Sequence, residues 1–214
     1  MFELATGPRR KLLDATLQVV RAQGYAGTSV DDICREAGVT KGSFFHHFKS
    51  KDELAVAATE HWTGVSGNLF AGAPYQAIAD PRERVLAYID FRASLIQGEL
   101  PDFTCLLGTM VQETFHTHPA ICEACNRGIL VHALTVEQDL AVAKRQYAPK
   151  ASWDPASVAL FTQAAIQGSF ILAKARHDPD AARQTILHLR NYVASLLPVG
   201  GPATKSSPAR KRRG

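Results

Sequence analysis

The chain has 214 residues, 46% of them hydrophobic and 21% charged, with a formal net charge of +4. That length builds a core without disulfide or metal support, and the composition is that of a globular protein, not a disordered one. Charge-free runs such as Phe103 to Gln112 are too short to cross a bilayer, Met1 to Arg10 lacks the apolar core of a secretory signal, and the four cysteines read as reduced thiols. The expectation is a cytoplasmic protein with no membrane partner.

The charge is unevenly placed. Residues 198–214 carry five Lys or Arg and no acid, residues 1–54 carry eight against seven, and residues 55–197 carry eleven against thirteen. The body is therefore not basic, and affinity for nucleic acid has to be sought in where individual charges stand.

Glycine and proline cut the chain into segments of helical length, and none alternates apolar and polar residues as a half-buried strand does. Pro8 opens a first helix to about Gln23, with Leu12, Thr16 and Val19 on one side and Leu13, Leu17 and Val20 beside them; Gly24 ends it. Thr28-Ser29-Val30-Asp31-Asp32 supplies a hydroxyl cap and first-turn acids for a short helix, Val30 to Ala37, which Gly38 ends in a left-handed turn. Thr40 caps a third helix, Lys41 to His47, and Ser50-Lys51-Asp52-Glu53 is a capping box for a fourth, running to about Leu69. Longer helices follow over Pro81 to Gly98, Phe103 to Phe115, Pro119 to Tyr147, Pro155 to Arg176 and Pro179 to Leu197. Past Pro198 the chain is Ser, Pro and basic residues, a composition that builds no core. No internal repeat is present. The fold is predicted to be all-α, with a helical head over residues 1–50, a larger helical body over 51–197 and a disordered basic tail over 198–214. That tail either adds salt-sensitive attraction to DNA or serves only as a solubilising end.

Two short helices separated by a few residues with Gly at the turn have the form of a helix-turn-helix. The second, Thr40-Lys41-Gly42-Ser43-Phe44-Phe45-His46-His47-Phe48, carries donors in its first turn. Lys41, Ser43 and His46 reach phosphates or base edges, while Phe44 and Phe48, four apart, belong to the core. Gly42 lets the backbone approach a phosphate, at a cost of about 1 kcal/mol relative to Ala that a hairpin built only for packing has no reason to bear. The plainer alternative is such a hairpin, with all three phenylalanines packed.

These residues also resemble the TetR family of bacterial transcriptional regulators. The likeness runs from Leu12-Leu13-Asp14-Ala15 through Gly24-Tyr25 and Thr28 to Phe48, and ends at Lys51-Asp52-Glu53-Leu54, about the first quarter of the chain. It implies a three-helix DNA-binding head joined by a fourth helix to a ligand-binding, dimer-forming body. It further implies that Thr40, Lys41, Ser43, Phe45 and His46 touch DNA, and that Thr28, His47 and Lys51 hold its backbone. The family usually has Tyr at the position of Phe45; the missing hydroxyl shifts that contact toward apolar base surface, such as a thymine methyl, or the sugar edge. A two-fold dimer presents two recognition helices and reads an approximate palindrome in double-stranded operator DNA. Candidate interface surfaces are the stripe Ala164, Gly168, Leu172 and Ala175 and the face Ile186, Leu189, Tyr192, Val193 and Leu196, unless these pack within one subunit.

For a small-molecule effector in the body, the candidate lining is Trp62, Arg92, Cys105, Met110, Glu113, Phe161 and Gln167, with Gln163 beside them, although such residues are more often plain core or solvated. Thr104-Cys105-Leu106-Leu107-Gly108-Thr109 with Glu113 is similar to a stretch of TetR-type regulators that includes electrophile and oxidant sensors. Cys105 is reactive there only if a cation or helix start lowers its pKa, and otherwise acts as a small hydrophobe. His116, His118, Cys122 and Cys125 place four soft ligands within ten residues, although structural zinc usually takes two well-separated pairs. Cys34 reads as packing. No phosphate loop, nucleophile elbow or His-Glu-x-x-His helix is present, so neither enzyme activity nor a cofactor is expected. Two functions remain: a repressor released from its operator by a small molecule, and a small-molecule or thiol-stress sensor that acts through a protein partner.

Overall fold

The computed structural model of the chain describes residues 7–199. Among them run ten α-helices and one 3-10 turn, with no strand. The helices are α1 (Pro8–Gln23), α2 (Val30–Ala37), α3 (Lys41–His47), α4 (Lys51–Ala71), α5 (Pro81–Ser94), α6 (Leu100–Phe103), α7 (Leu106–Thr114), α8 (Pro119–Tyr147), α9 (Pro155–Arg176) and α10 (Pro179–Leu196), and the 3-10 turn, Pro74–Ala77, follows α4. The basic stretch from residue 200 onward, expected to be disordered, lies outside the described residues.

Capping chemistry places most of these boundaries. Ser29, Thr40, Ser50, Asp80 and Asp154 each accept the amide three residues on, filling one of the donors that a helix start leaves open. Ser29 and Asp32 form a reciprocal capping box. At α4 the box is only half made, because the Glu53 carboxylate takes the Lys49 amide at 2.8 Å. Proline occupies the first turn of α1, α5, α8, α9 and α10, where its missing N–H costs nothing.

The fold departs from expectation at three places. The helix expected over Pro81–Gly98 stops at Ser94, and Gly98 sits in the following turn at φ 77. The helix expected over Phe103–Phe115 is broken, since Thr104 and Cys105 are extended and separate α6 from α7. The third concerns hydrophobicity: Pro155–Arg176 is long and apolar enough to cross a membrane, contrary to the reading of the charge-free runs. Here it is a packed body helix, with Val158, Ala159, Thr162, Ile166, Phe170 and Ala173 buried and α8 and α10 against it.

Two apolar clusters hold the molecule. In the head, Leu12, Leu17 and Val20 of α1, Ile33 of α2 and Phe44 of α3 pack with Leu54, Ala55 and Ala58 from the first half of α4. This cluster runs on past residue 50 into Leu106, Leu107 and Met110 of α7 and Ile121 and Cys125 of α8. The second gathers Phe70 at the end of α4, Leu86 and Ile89 of α5, Leu140 of α8, Ile166 and Phe170 of α9 and Ile186 and Val193 of α10. Helix α4 therefore belongs to both, a rod from the head to the body.

Phe44 is 0% exposed. Phe44→Ala is expected to cost roughly 3–5 kcal/mol in urea denaturation, the range for deleting a fully buried Phe. Lys41→Ala on the same helix, which removes only an exposed ion pair, is expected to change stability by less than about 1 kcal/mol.

Candidate nucleic-acid interface and effector cavity

Helix α3 divides cleanly by side. Phe44 and Phe48 point into the head, with ring centroids 6.1 Å apart, while Lys41, Gly42, Phe45 and His46 are exposed and Ser43 and His47 are partly so. Phe45 is 54% exposed, unusual for so large an apolar ring, and stands edge-on to Phe44 at 5.0 Å. Thr40 accepts the Ser43 amide at 3.1 Å, and the amides of Lys41 and Gly42 have no partner among the described residues. A Cβ on Gly42 would meet only the Thr40 hydroxyl, at 3.8 Å. Packing within the chain thus gives no reason for glycine there, whereas a close external partner does. Lys41 pairs with the exposed Asp31 at 3.0 Å, a contact weak enough to be exchanged for a phosphate.

Two residues expected at the DNA backbone are engaged inside the head. Thr28 is buried and its hydroxyl donates to the Gly24 carbonyl at 2.6 Å. The Lys51 ammonium donates to the Tyr25 and Thr28 carbonyls at 3.0 and 2.9 Å and lies 4.1 Å from the centroid of the Tyr25 ring. Both stabilise the loop between α1 and α2, where Lys51 joins the Thr28 amide (3.2 Å) on the Tyr25 carbonyl and also takes the Thr28 carbonyl.

The same loop is the joint with the body. The Tyr25 hydroxyl donates to Asp52, His118 from the start of α8 stands edge-on to the Tyr25 ring at 5.4 Å, and the Glu113 carboxylate on α7 accepts the Ala26 amide at 2.7 Å. A side chain on Gly24 (φ 81) would strike that carboxylate. Glu113 therefore serves the joint instead of an effector.

Behind the joint lies a cavity of about 280 Å³. Its walls come from α4 (Trp62, Val65, Leu69, Phe70), the end of α5 (Arg92, Leu95, Ile96), α6 and the bend after it (Asp102, Phe103, Cys105), α7 (Leu107), α8 (Ile129, His132) and α9 (Gln163, Gln167, Phe170), and from α1 it receives Arg21. Of the candidate effector residues, Trp62, Arg92, Cys105, Gln163 and Gln167 line this cavity. Met110 does not: it is wholly buried in the head cluster. Phe161 does not either: it lies half-exposed on the outer side of α9, against Tyr192 at 5.1 Å. The sequence reading passes over Arg21, Asp102 and His132. For Arg21 a signal existed, since it falls four residues after Leu17 on the buried side of α1.

Arg21 is buried, and its guanidinium lies 4.9 Å from the Trp62 ring while donating to the Leu17 carbonyl (2.8 Å), the Asp102 carbonyl (3.2 Å) and Gln18 (3.0 Å). His132 packs on Phe70 (centroids 4.5 Å apart) and bonds the Tyr88 hydroxyl at 2.9 Å.

The four soft ligands do not assemble. Cys125 is fully buried, and burial pushes its thiol up to about 12; His118 faces Tyr25; His116 is exposed. Among the described residues no three His, Cys, Asp or Glu form a group able to hold a metal. Cys34 is buried, as expected. On the outer side of the body, Ile186, Leu189 and Val193 are buried within the subunit, whereas Leu160, Phe161, Ile171 and Leu172 of α9 and Leu187 and Tyr192 of α10 remain exposed beside Ala164 and Ala175. These residues leave large apolar side chains exposed along α9 and α10.

Burial, reinforced by Arg92, pushes the His132 imidazole from its ordinary value of 6.5 down to about 3. The unfolded chain then binds a proton that the folded one refuses, so this contribution to stability is complete above about 6.5 and is lost as pH falls toward 3. Urea midpoints between pH 7 and 4.5 are expected to drop less steeply in His132→Gln than in the unaltered protein; equal slopes would contradict the assignment.

Comparison with known proteins agrees with this geometry. Residues 12–58 match the model of bacterial regulatory proteins of the tetR family, and residues 81–189 match that of the tetracyclin repressor-like C-terminal domain. The HTH-type transcriptional regulator BetI of Rhizobium meliloti is 28% identical over 202 residues, 94% of each chain. Among solved structures, regulatory protein TetR of Rhodobacter sphaeroides superposes with a TM-score of 0.76 at 21% identity, over 86% of this chain and 98% of that one. The reduced form of E. coli NemR gives 0.72 at 22% identity, over 86% and 96%. The chain belongs to the TetR family and is a DNA-binding transcriptional regulator.

Proposed function

We propose that the protein is a cytoplasmic homodimeric repressor that leaves a palindromic operator when a small molecule fills the cavity. In this reading residues 1–50 read the DNA and residues 51–197 bind effector and partner subunit. Thr40, Lys41, Gly42, Ser43, Phe45, His46 and His47 form the DNA face. Lys41 and the open amides at the start of α3 take phosphates, and His46 and Phe45 meet base edges in the major groove. The exposed apolar face of α9 and α10 pairs the subunits, which sets half-sites about one helical turn, or a multiple, apart.

The observation that carries the release mechanism is Arg21: a residue of head helix α1 forms part of the cavity wall. It ties α1 to Trp62 and to the Asp102 carbonyl. A second tie runs along α7, from Leu107 in the wall to Glu113 on the Ala26 amide. A ligand that packs better when these ties shift favours a different head orientation. It thereby weakens DNA binding by its own preference between the two states, typically about 1–3 kcal/mol.

The test is a gel-shift titration on DNA upstream of the protein's own gene. Lys41→Ala is expected to weaken binding and to reduce the salt slope by about one for each phosphate that the ammonium no longer neutralises. His46→Ala is expected to cost roughly 1–3 kcal/mol at its base position, and Gly42→Glu to abolish binding with the fold intact. Unchanged affinity in all three would overturn the DNA face.

Cys105 supports a second reading in which the effector is an electrophile, because the half-buried thiol stands in the cavity wall at the cap of α7. Iodoacetamide is then expected to release operator from the unaltered protein and not from Cys105→Ser; release from both would exclude it.

A further inference from the structure

We infer that the cavity selects an amphipathic organic anion, a carboxylate on an aromatic or aliphatic body, with Arg92 as the residue that binds the anionic head. The inference rests on the reading of this cavity as the effector site and adds to it the chemistry of the ligand.

Four ionisable side chains other than Cys105 line the chamber: Arg21, Arg92, Asp102 and His132. Three are already engaged. Arg21 spends its donors on the Leu17 and Asp102 carbonyls and on Gln18. The Asp102 carboxylate, on an exposed residue, accepts the Glu99 amide at 2.8 Å as part of the start of α6. His132 is held by the Tyr88 hydroxyl at 2.9 Å.

Arg92 is different. Its guanidinium sits 5.1 Å from the Phe70 ring centroid, and among the described residues no carboxylate or hydrogen-bond acceptor pairs with it. A guanidinium half-buried in this wall, with an aromatic face beneath it, the neutral His132 nearby and no anion paired to it, is under-compensated. Its planar fork matches a carboxylate with two parallel hydrogen bonds. Gln167, with no side-chain hydrogen bond among the described residues, adds an amide donor in the same wall.

The remaining lining sets the body of the ligand. Trp62, Phe103, Phe170, Leu95 and Ile129 offer apolar surface, and a volume of about 280 Å³ fits a compact molecule, at the lower end of ligand pockets. A cationic ligand would also find aromatic faces there, but two guanidiniums against one carboxylate leave the wall with a net positive charge that disfavours it.

The test uses the full-length protein and three matched sets of probes: octanoate, decanoate and 4-phenylbutyrate as carboxylates, and the amines and primary alcohols on the same bodies. Binding is read by tryptophan fluorescence and by the rise in melting temperature that a ligand for the folded state produces. At least one carboxylate is expected to bind tenfold or more tightly than its amine and alcohol counterparts. Arg92→Gln is expected to bring that carboxylate down to the level of its alcohol, with Arg92→Lys retaining part of the preference. Equal binding of the alcohols or amines, an undiminished preference in Arg92→Gln, or no binding by any carboxylate would overturn the inference. Gel shifts with the same probes keep the two readings apart: release of operator by an amine or alcohol would sink the anion and leave the effector cavity standing.

Discussion

Everything the head does depends on how Phe44 and Phe48 anchor α3. A helix of seven residues has too few hydrogen bonds to persist alone, so it exists only because those two rings are sunk against α1 and α4 and the Thr40 hydroxyl closes its first turn. The same 3.6-residue period that buries positions 44 and 48 turns positions 41, 42, 45 and 46 outward. The proposed DNA-reading face is thus the far side of a packing solution. Its exposed phenylalanine, glycine without internal reason and loosely paired lysine are features that packing alone leaves unexplained.

The second constraint is that head and body do not have separate cores. The apolar cluster under α3 continues through α4 into α7 and α8, and the loop at Tyr25 is held from below by Lys51, Asp52, Glu113 and His118. Because interiors are close-packed and switch between discrete arrangements instead of deforming smoothly, the proposed release has a ligand that moves Trp62, Asp102 or Leu107 act on the orientation of α1. Arg21, with its base in the head and its tip in the cavity wall, is the shortest expression of that coupling.

Much of the architecture was legible because its signals are local. The caps at Ser29, Thr40 and Ser50 and the prolines at 81 and 155 announce helix starts from the chain alone, and the lengths between prolines match the helices within a few residues. What escaped is what depends on distant partners. Periodicity assigns Met110 and Cys105 alike to an apolar setting, yet one is sealed in the head cluster and the other opens on the cavity; Glu113 reads as effector lining until its bond to the Ala26 amide is seen, and the bond that brings Arg21 to the Asp102 carbonyl spans 81 residues. Lys51, which matches a DNA-contacting pattern, donates here to the Tyr25 and Thr28 carbonyls. The charge-free run 155–173 was visible in the chain itself, and only its partners on α8 and α10 show it to be a packed helix.

The most direct measurement is photocrosslinking from 4-benzoylphenylalanine placed at position 45, in the presence of DNA from upstream of the protein's own gene. If the outer side of α3 lies in the major groove, the crosslinks form to nucleotides at two positions related by the operator's two-fold symmetry, and an excess of unlabelled operator removes them. Crosslinks confined to protein, with DNA bound at the same time, would show that another surface reads the nucleic acid.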